Sequence, residues 1–308
     1  MYLLMMSQIC VLGVFVADLC FFGEGIPSKG QTILGNKHQV GPGGKGSNQA
    51  ITIAKLNGKV NFISKIGRDG YGEMAIKIYK ETGVNSKSVV LDFKNSTGVA
   101  GILIDKEGNN AINIIPGAAA TLNKEDINLN LETIEKSKIF ITQFEMPDEV
   151  TWYALKKAKE NKCITILNPA PARKIEEKNF KLIDYFTPNE IEAEFYLNKK
   201  IISNNDIVNA GTQFLNLGIK NVIITLGEKG VYFTNKNESF FIEAYKLKSK
   251  SIDTTGAGDV FNGTLAYGLS KDYPLKEAII FANKVAAIST TKLGAANSIP
   301  TFREVETY

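Results

Sequence analysis

Asp253-Thr254-Thr255-Gly256-Ala257-Gly258-Asp259 runs directly into Val260-Phe261-Asn262-Gly263-Thr264-Leu265-Ala266. Three small residues in a row, two of them glycines, let backbone N–H groups turn toward one point, and the apolar run after them predicts a helix opened by that turn. That combination is an anion site. The Asp259 carboxylate, where turn meets helix, cannot bind the anion but can take a proton from a hydroxyl attacking it. Base and anion hole together suit phosphoryl transfer to an alcohol, in which positioning and charge stabilisation supply most of the catalysis. The same residues also fit a glycine-rich helix cap with Asp259 as an ordinary first-turn acid, and this stretch alone does not separate the two.

A chain of 308 residues, 44% of them hydrophobic, can bury one large core and a smaller appended lobe. Its 36 basic and 32 acidic residues leave a formal charge of +4 without a dense basic block, so nucleic acid is not an expected partner. Cys10, Cys20 and Cys163 are odd in number and lack metal-type spacing. They read as small core residues of a protein in a reducing compartment, the cytoplasm. With His38 as the single histidine, a His-dependent triad or a multi-His metal site has no material. Carboxylates, lysine, glycine turns and a cofactor must carry any chemistry. No apolar run reaches the roughly 18 residues of a membrane span. Residues 1–6 lack the basic flank of a secretion signal and read as a ragged start.

Ile9-Cys10-Val11-Leu12-Gly13 is a short apolar run ending in glycine, expected as a central strand covered on both faces. Asp18 is expected just beyond its end, where open α/β sheets bind ligands. Residues 21–40 alternate loosely around turn signals and predict exposed strands in a flap outside the main sheet. Gly41, Gly43 and Gly46 formally satisfy G-x-G-x-x-G, but the polar flap before them and Pro42 within the turn argue against a nicotinamide site. Gly46 stands where a P-loop needs Ser or Thr. What remains is close backbone approach to a small polar ligand, with Lys45 and Asn48 hydrogen-bonding hydroxyls, or simply a tight turn before a helix at 50–56. Residues 97–104 and 111–115 predict a hairpin. From residue 139 onward, short apolar strands alternate with helices at 147–161, 190–197, 205–217 and 275–290, the rhythm of βαβ units. Glu145, Asn168, Asn189 and the turn Thr225-Leu226-Gly227-Glu228-Lys229-Gly230 follow strand ends and are expected along one cleft. Residues 294–300 are expected to leave the domain as an irregular loop.

Two signatures, Gly43-Gly44-Lys45-Gly46-Ser47-Asn48-Gln49-Ala50 and the stretch from Asp253 to Gly263, resemble those of the ribokinase-like sugar kinases, the PfkB carbohydrate kinase family. The likeness runs from about Ile9 to Pro300, with supporting matches at Leu167-Asn168-Pro169-Ala170-Pro171-Ala172 and Thr187-Pro188-Asn189-Glu190-Ile191-Glu192. The resemblance implies a three-layer α/β/α fold with a mostly parallel central sheet and a small β-sheet lid. Residues 1–13, 43–95 and 118–308 would form the large domain, and residues 14–42 and 96–117 the lid, through which two copies pair as a homodimer. It implies an ATP-dependent kinase of a pentose, phosphorylating D-ribose at O5, with no role for nucleic acid or membrane. Another small sugar or nucleoside (deoxyribose, fructose, adenosine) is the alternative substrate, and a non-catalytic sugar- or nucleotide-binding regulator the alternative class.

By the same resemblance, Asp259 is the base, and the backbone of Gly256, Ala257 and Gly258 forms the anion hole. Val16, Ala17, Asp18, Gly44, Lys45, Gly46, Ser47, Asn48 and Glu145 fall where the family holds its sugar. Asn189, the turn from Thr225 through Leu226, Gly227, Glu228 and Lys229 to Gly230, Gly258 and Asn283 fall along the ATP groove. Asn189 with Glu192 matches an N-x-x-E motif associated with magnesium. Asp253, Thr255, Ser289, Lys292, Gly294 and Ser298 match positions around a potassium ion. The chain departs from the family pattern at Val16, where an Asn facing the sugar is usual, and at Ala119, which also replaces a common Asn. Val16 removes one hydrogen bond to the sugar, enough to alter the preferred sugar and not the reaction class.

Overall fold

Strand β1 (Gln8–Leu12) opens the described part of the computed structural model, which covers residues 8–308; the ragged start expected at residues 1–6 lies outside it. Ile9, Cys10, Val11 and Leu12 are fully buried because β1 lies mid-sheet, between two parallel neighbours, β4 (Lys59–Gly67) and β8 (Ile139–Thr142). Side chains alternate across a strand. Ile9 and Val11 therefore join one apolar layer, with helices Lys45–Lys55, Ala257–Ser270 and Leu275–Ser289, while Cys10 and Leu12 join the other, with helices Asp148–Glu160 and Asn204–Asn216. The expected three-layer α/β/α arrangement is the one the chain adopts.

The remaining strands are β2 (Val16–Gly23), β3 (Gly35–Gly43), β5 (Val89–Asp92), β6 (Thr97–Ile104), β7 (Asn110–Gly117), β9 (Ile164–Leu167), β10 (Tyr185–Phe186), β11 (Asn221–Thr225), β12 (Val231–Asn235) and β13 (Ser239–Ile242). The large sheet has the order β13-β12-β11-β10-β9-β8-β1-β4-β5, parallel except for β12, which pairs antiparallel with both β11 and β13. A separate sheet has the order β3-β2-β6-β7, with β2 and β6 parallel and the flanking pairs antiparallel. The loops after β8 and β10 and the end of β11 bring Glu145, Asn189 and Thr225 to the same edge of the large sheet, where open parallel sheets form their ligand crevice.

Four local expectations need correction. Asp18 is not in a loop beyond β1 but inside β2, opposite Gly41 of β3 and Ala100 of β6. The helix expected at 50–56 begins at Lys45, because Gly44 adopts φ 89°, a left-handed conformation that turns the chain into a helix at once. Lys45, Gly46, Ser47 and Asn48 therefore occupy a helical first turn rather than a loop. Residues 294–300 are not irregular throughout, since Ala295–Ser298 forms one helical turn beside β3. Cys20 is no core residue: it lies half-buried on β2 and lines a cleft.

Candidate active site

Gly256, at φ 76°, is the N-cap of helix Ala257–Ser270, a left-handed conformation that glycine adopts freely. The Ala257 N–H turns back to the Thr254 carbonyl at 3.2 Å, so the anion hole expected from Gly256, Ala257 and Gly258 loses that donor. Among the described residues, the N–H groups of Gly258 and Asp259 have no partner. A Cβ built on Gly258 would meet nothing within 4 Å, so the turn is open on that side. The Asp259 carboxylate lies directly beside this space, only 5% exposed, and accepts a hydrogen bond from Asn48 Nδ2 at 2.9 Å. Burial pushes its pKa up, while the Lys45 charge and the amides of Asn48 and Gln49 pull it down.

The second signature delivers the groups around Asp259. Gly13 at the end of β1 and Gly46 in the opposing helix touch Cα to backbone: a Cβ on either would come within 2.6 Å of the other's Cα. This close approach sets the Lys45–Lys55 helix against the end of β1, and Ser47 N–H donates to the Val14 carbonyl at 3.1 Å. Lys45 N–H donates to Glu145 Oε2 at 2.8 Å. The Asp18 carboxylate packs onto the Cα of Gly43, where a side chain would lie 2.3 Å from Asp18 Oδ2. Burial and the nearby Asp259 raise Asp18 to about 6. Glu145 is pushed up to about 7, mainly by burial, with Asp259 and Asp18 adding to the shift and Lys45 opposing it. Lys45 is raised, chiefly by the charge of Asp259. One ammonium thus sits among three carboxyl groups. Asn48 Oδ1, buried without a partner, is a vacant acceptor in the same place. Ser47, Val16 and Ala17 are buried, and Ser47 Oγ receives the Tyr79 hydroxyl at 3.1 Å, a packing role. Next to Asp18, a cleft of about 570 Å³ separates the small sheet from residues 251–255 and 293–297.

A family model described as pfkB family carbohydrate kinase matches residues 6–302. The chain belongs to that family. It is 36% identical to a ribokinase of Staphylococcus aureus, over 98% of this chain and 99% of the relative. It is 32% identical to a deoxyribokinase of Salmonella typhi, over 98% of each. Among solved structures, a ribokinase from Thermotoga maritima superposes with a TM-score of 0.89 at 39% identity, covering 97% of this chain and 98% of that one. An Arabidopsis thaliana ribokinase complexed with ribose and ATP gives 0.89 at 27% identity, covering 98% of both.

The remaining predicted residues fall into two groups. Asn189 caps helix Glu190–Leu197: its side chain accepts from Glu192 N at 2.8 Å while Glu192 Oε2 accepts from Asn189 N at 2.9 Å, a capping box. Asn189 also bridges Thr225, and the turn from Leu226 to Gly230 follows with Gly227, Glu228 and Lys229 exposed, so these residues share one rim. Glu192 lies within electrostatic reach of Lys45 and Asp259, and burial raises its pKa. Asn283 instead donates to the Glu243 carbonyl at 2.7 Å, holding the segment after β13. Asp253 accepts from Thr255 N at 2.9 Å and Gly294 N at 2.7 Å, clasping two loops. The hydroxyls of Ser289 and Ser298 bond Ala286 and Ala295 carbonyls of their own turns, and Lys292 turns away to Glu304 at 2.6 Å. Among the described residues, no three His, Cys, Asp or Glu side chains cluster as a metal site. Sequence reasoning missed the buried polar bonds beneath the site, in which Gln143 and Gln49 run to the expected Asn168 and, separately, Thr187 bonds Asn262. The available signal was Asn262 standing inside an otherwise apolar helical run.

Proposed function

We propose that this kinase transfers the γ-phosphoryl group of ATP to O5 of D-ribose, forming D-ribose 5-phosphate and ADP. The observation that carries the reading is a buried carboxylate, Asp259, in a helical first turn whose Gly258 and Asp259 N–H groups have no partner and which is open beside Gly258. Asp259 takes the proton from the 5-hydroxyl as the O5–phosphorus bond forms and the bond to the ADP oxygen breaks. The N–H groups of Gly258 and Asp259 hold the charge that builds on the transferring group. The Lys45 charge favours the ionised form of Asp259 against the burial that raises its pKa. Asp18, Asn48 and Glu145 orient the sugar hydroxyls, and the Asn189 and Thr225–Gly230 rim receives the nucleotide.

Magnesium, when bound, would offset charge between the nucleotide phosphates. Glu192 fits as its anchor, because the cap uses one carboxylate oxygen only. A monovalent cation fits between residues 253–255 and 289–298 largely through main-chain carbonyls, beside Asp253, whose bonds to the Thr255 and Gly294 N–H groups hold the two loops together. The small sheet serves as the lid. Its outer face, opposite Asp18 and Cys20, carries Leu19, Phe21, Val40, Leu103 and Ile115 in register, with Phe21, Val40 and Ile115 between 43% and 55% exposed. A second copy of this chain is the partner for that face. No helix among the described residues is long and apolar enough to cross a membrane, and we place the protein in the cytoplasm on its unpaired cysteines.

Buried, apolar Val16, on the same strand face as Asp18, favours 2-deoxyribose as the second reading. Initial rates with ribose, 2-deoxyribose and adenosine, each with potassium and with lithium, test the assignment. Ribose is expected to lead, with potassium raising the rate; a preference for another acceptor overturns the sugar, and cation indifference removes the potassium site.

A further inference from the structure

Asn262 is 1% exposed on a helix whose neighbours Val260, Phe261, Leu265 and Ala266 are all buried and apolar. A primary amide in such a setting costs stability unless its donors and acceptor are paired. Here both ends are used. Asn262 Nδ2 donates to the Gly258 carbonyl at 2.9 Å, and Asn262 Oδ1 accepts from the Thr187 hydroxyl at 2.6 Å. The orientation of the amide follows from chemistry, because a carbonyl can only accept and must face the NH₂ end. Thr187 is itself 2% exposed and anchored by its N–H to the Leu167 carbonyl at 3.2 Å.

The Gly258 carbonyl belongs to the same rigid peptide plane as the Asp259 N–H. Holding the oxygen from below therefore fixes where that N–H points on the open side. Glycine at 256 and 258 leaves this turn with little conformational resistance of its own. Thr187 also stands two residues before Asn189, so one short chain of hydrogen bonds joins the anion turn to the strand end at the nucleotide rim.

We propose that Asn262, held in place by Thr187, is a positioning residue for phosphoryl transfer, bracing the Gly258–Asp259 peptide so that its N–H stays aimed at the transferring group. The inference rests on the kinase reading above. Its readout is a split between turnover and sugar binding, which a merely structural amide would not produce. In steady-state assays of the full chain with ribose and ATP, Asn262→Ala should lower kcat on the order of tenfold while moving the sugar KM by less than about twofold. Thr187→Val should act in the same direction, Thr187→Ser should restore turnover, and the Asn262→Ala/Thr187→Val double variant should be no slower than Asn262→Ala alone. A kcat for Asn262→Ala within about twofold of the parent, or losses that multiply in the double variant, overturns the proposal. Should Asn262→Ala not fold, Thr187→Val decides by the same split. Hydrogen exchange of the peptide spanning residues 254–261 separates this idea from the kinase reading. If the parent chain phosphorylates no sugar, the function fails, yet faster exchange there in Asn262→Ala still supports the brace and unchanged protection overturns it.

Discussion

Burial disfavours a negative charge on Asp259 and raises its pKa, and Lys45 with the Asn48 amide offsets part of that penalty. Removing the carboxylate while keeping the shape isolates its role as base. Asp259→Asn should lower kcat by at least ~10²-fold with ATP still binding, measured by coupled ADP release and calorimetry; near-parent turnover would contradict the assignment. Val16 bears on the sugar instead. Val16→Asn restores a hydrogen-bonding group on the strand face of Asp18, and it should raise the ribose to 2-deoxyribose ratio of kcat/KM roughly tenfold. An unchanged ratio would show that position 16 does not touch the sugar. Asp259, Lys45 and Asn48 were legible because each lies in a short glycine-rich signature whose chemistry is local, and Glu145 and Asp18 because each follows closely on a short apolar strand. Ala257 and Asn283 were not, since the carbonyls they bond, Thr254 and Glu243, are chosen by the path of neighbouring loops.

The first turn of helix Lys45–Lys55 and the loop after β8 meet through the Lys45 N–H and the Glu145 carboxylate, and this junction has a pH signature. Glu145 at about 7 and Asp18 at about 6 both lie above their unfolded values, so between the ordinary carboxylate range and neutrality the folded chain holds protons that the unfolded chain has released. The stability this contributes is full below about pH 4 and is lost as pH rises through 6 and 7. Urea unfolding at about pH 5 and about pH 8 should show the parent less stable at the higher value with respect to these groups, and Glu145→Gln should shrink the difference. An undiminished difference would remove Glu145 from the account. Among the elements, the parallel strands and their helices were readable from apolar runs and periodicity. The strands β5, β12 and β13, at or next to the two ends of the sheet, escaped because short strands there carry weak patterns. The start of helix Lys45–Lys55 escaped because it depends on one positive φ at Gly44.

Across the whole molecule, the small sheet has two working faces, the cleft side with Asp18, Cys20 and Ile102, and the outer side with Phe21, Leu103 and Ile115. Placing a charge on the outer side should separate two copies. Phe21→Asp is expected to shift the protein from dimer to monomer in multi-angle light scattering, and a parent already monomeric at assay concentration would count against the pairing. Strand order and the packing of this sheet against residues 293–297 were not legible, because they arise from contacts between segments far apart in the chain. The strand β2 is read from both sides, with even-numbered residues from Val16 to Phe22 turned one way and odd-numbered ones the other. Lengthening or shortening it by a single residue would exchange the cleft-facing carboxylate for an outward-facing hydrocarbon along everything downstream of the change. Descendants of such a chain are free to vary the connector at residues 24–34 in any increment, while the ribbon before it can drift in sequence but not in frame.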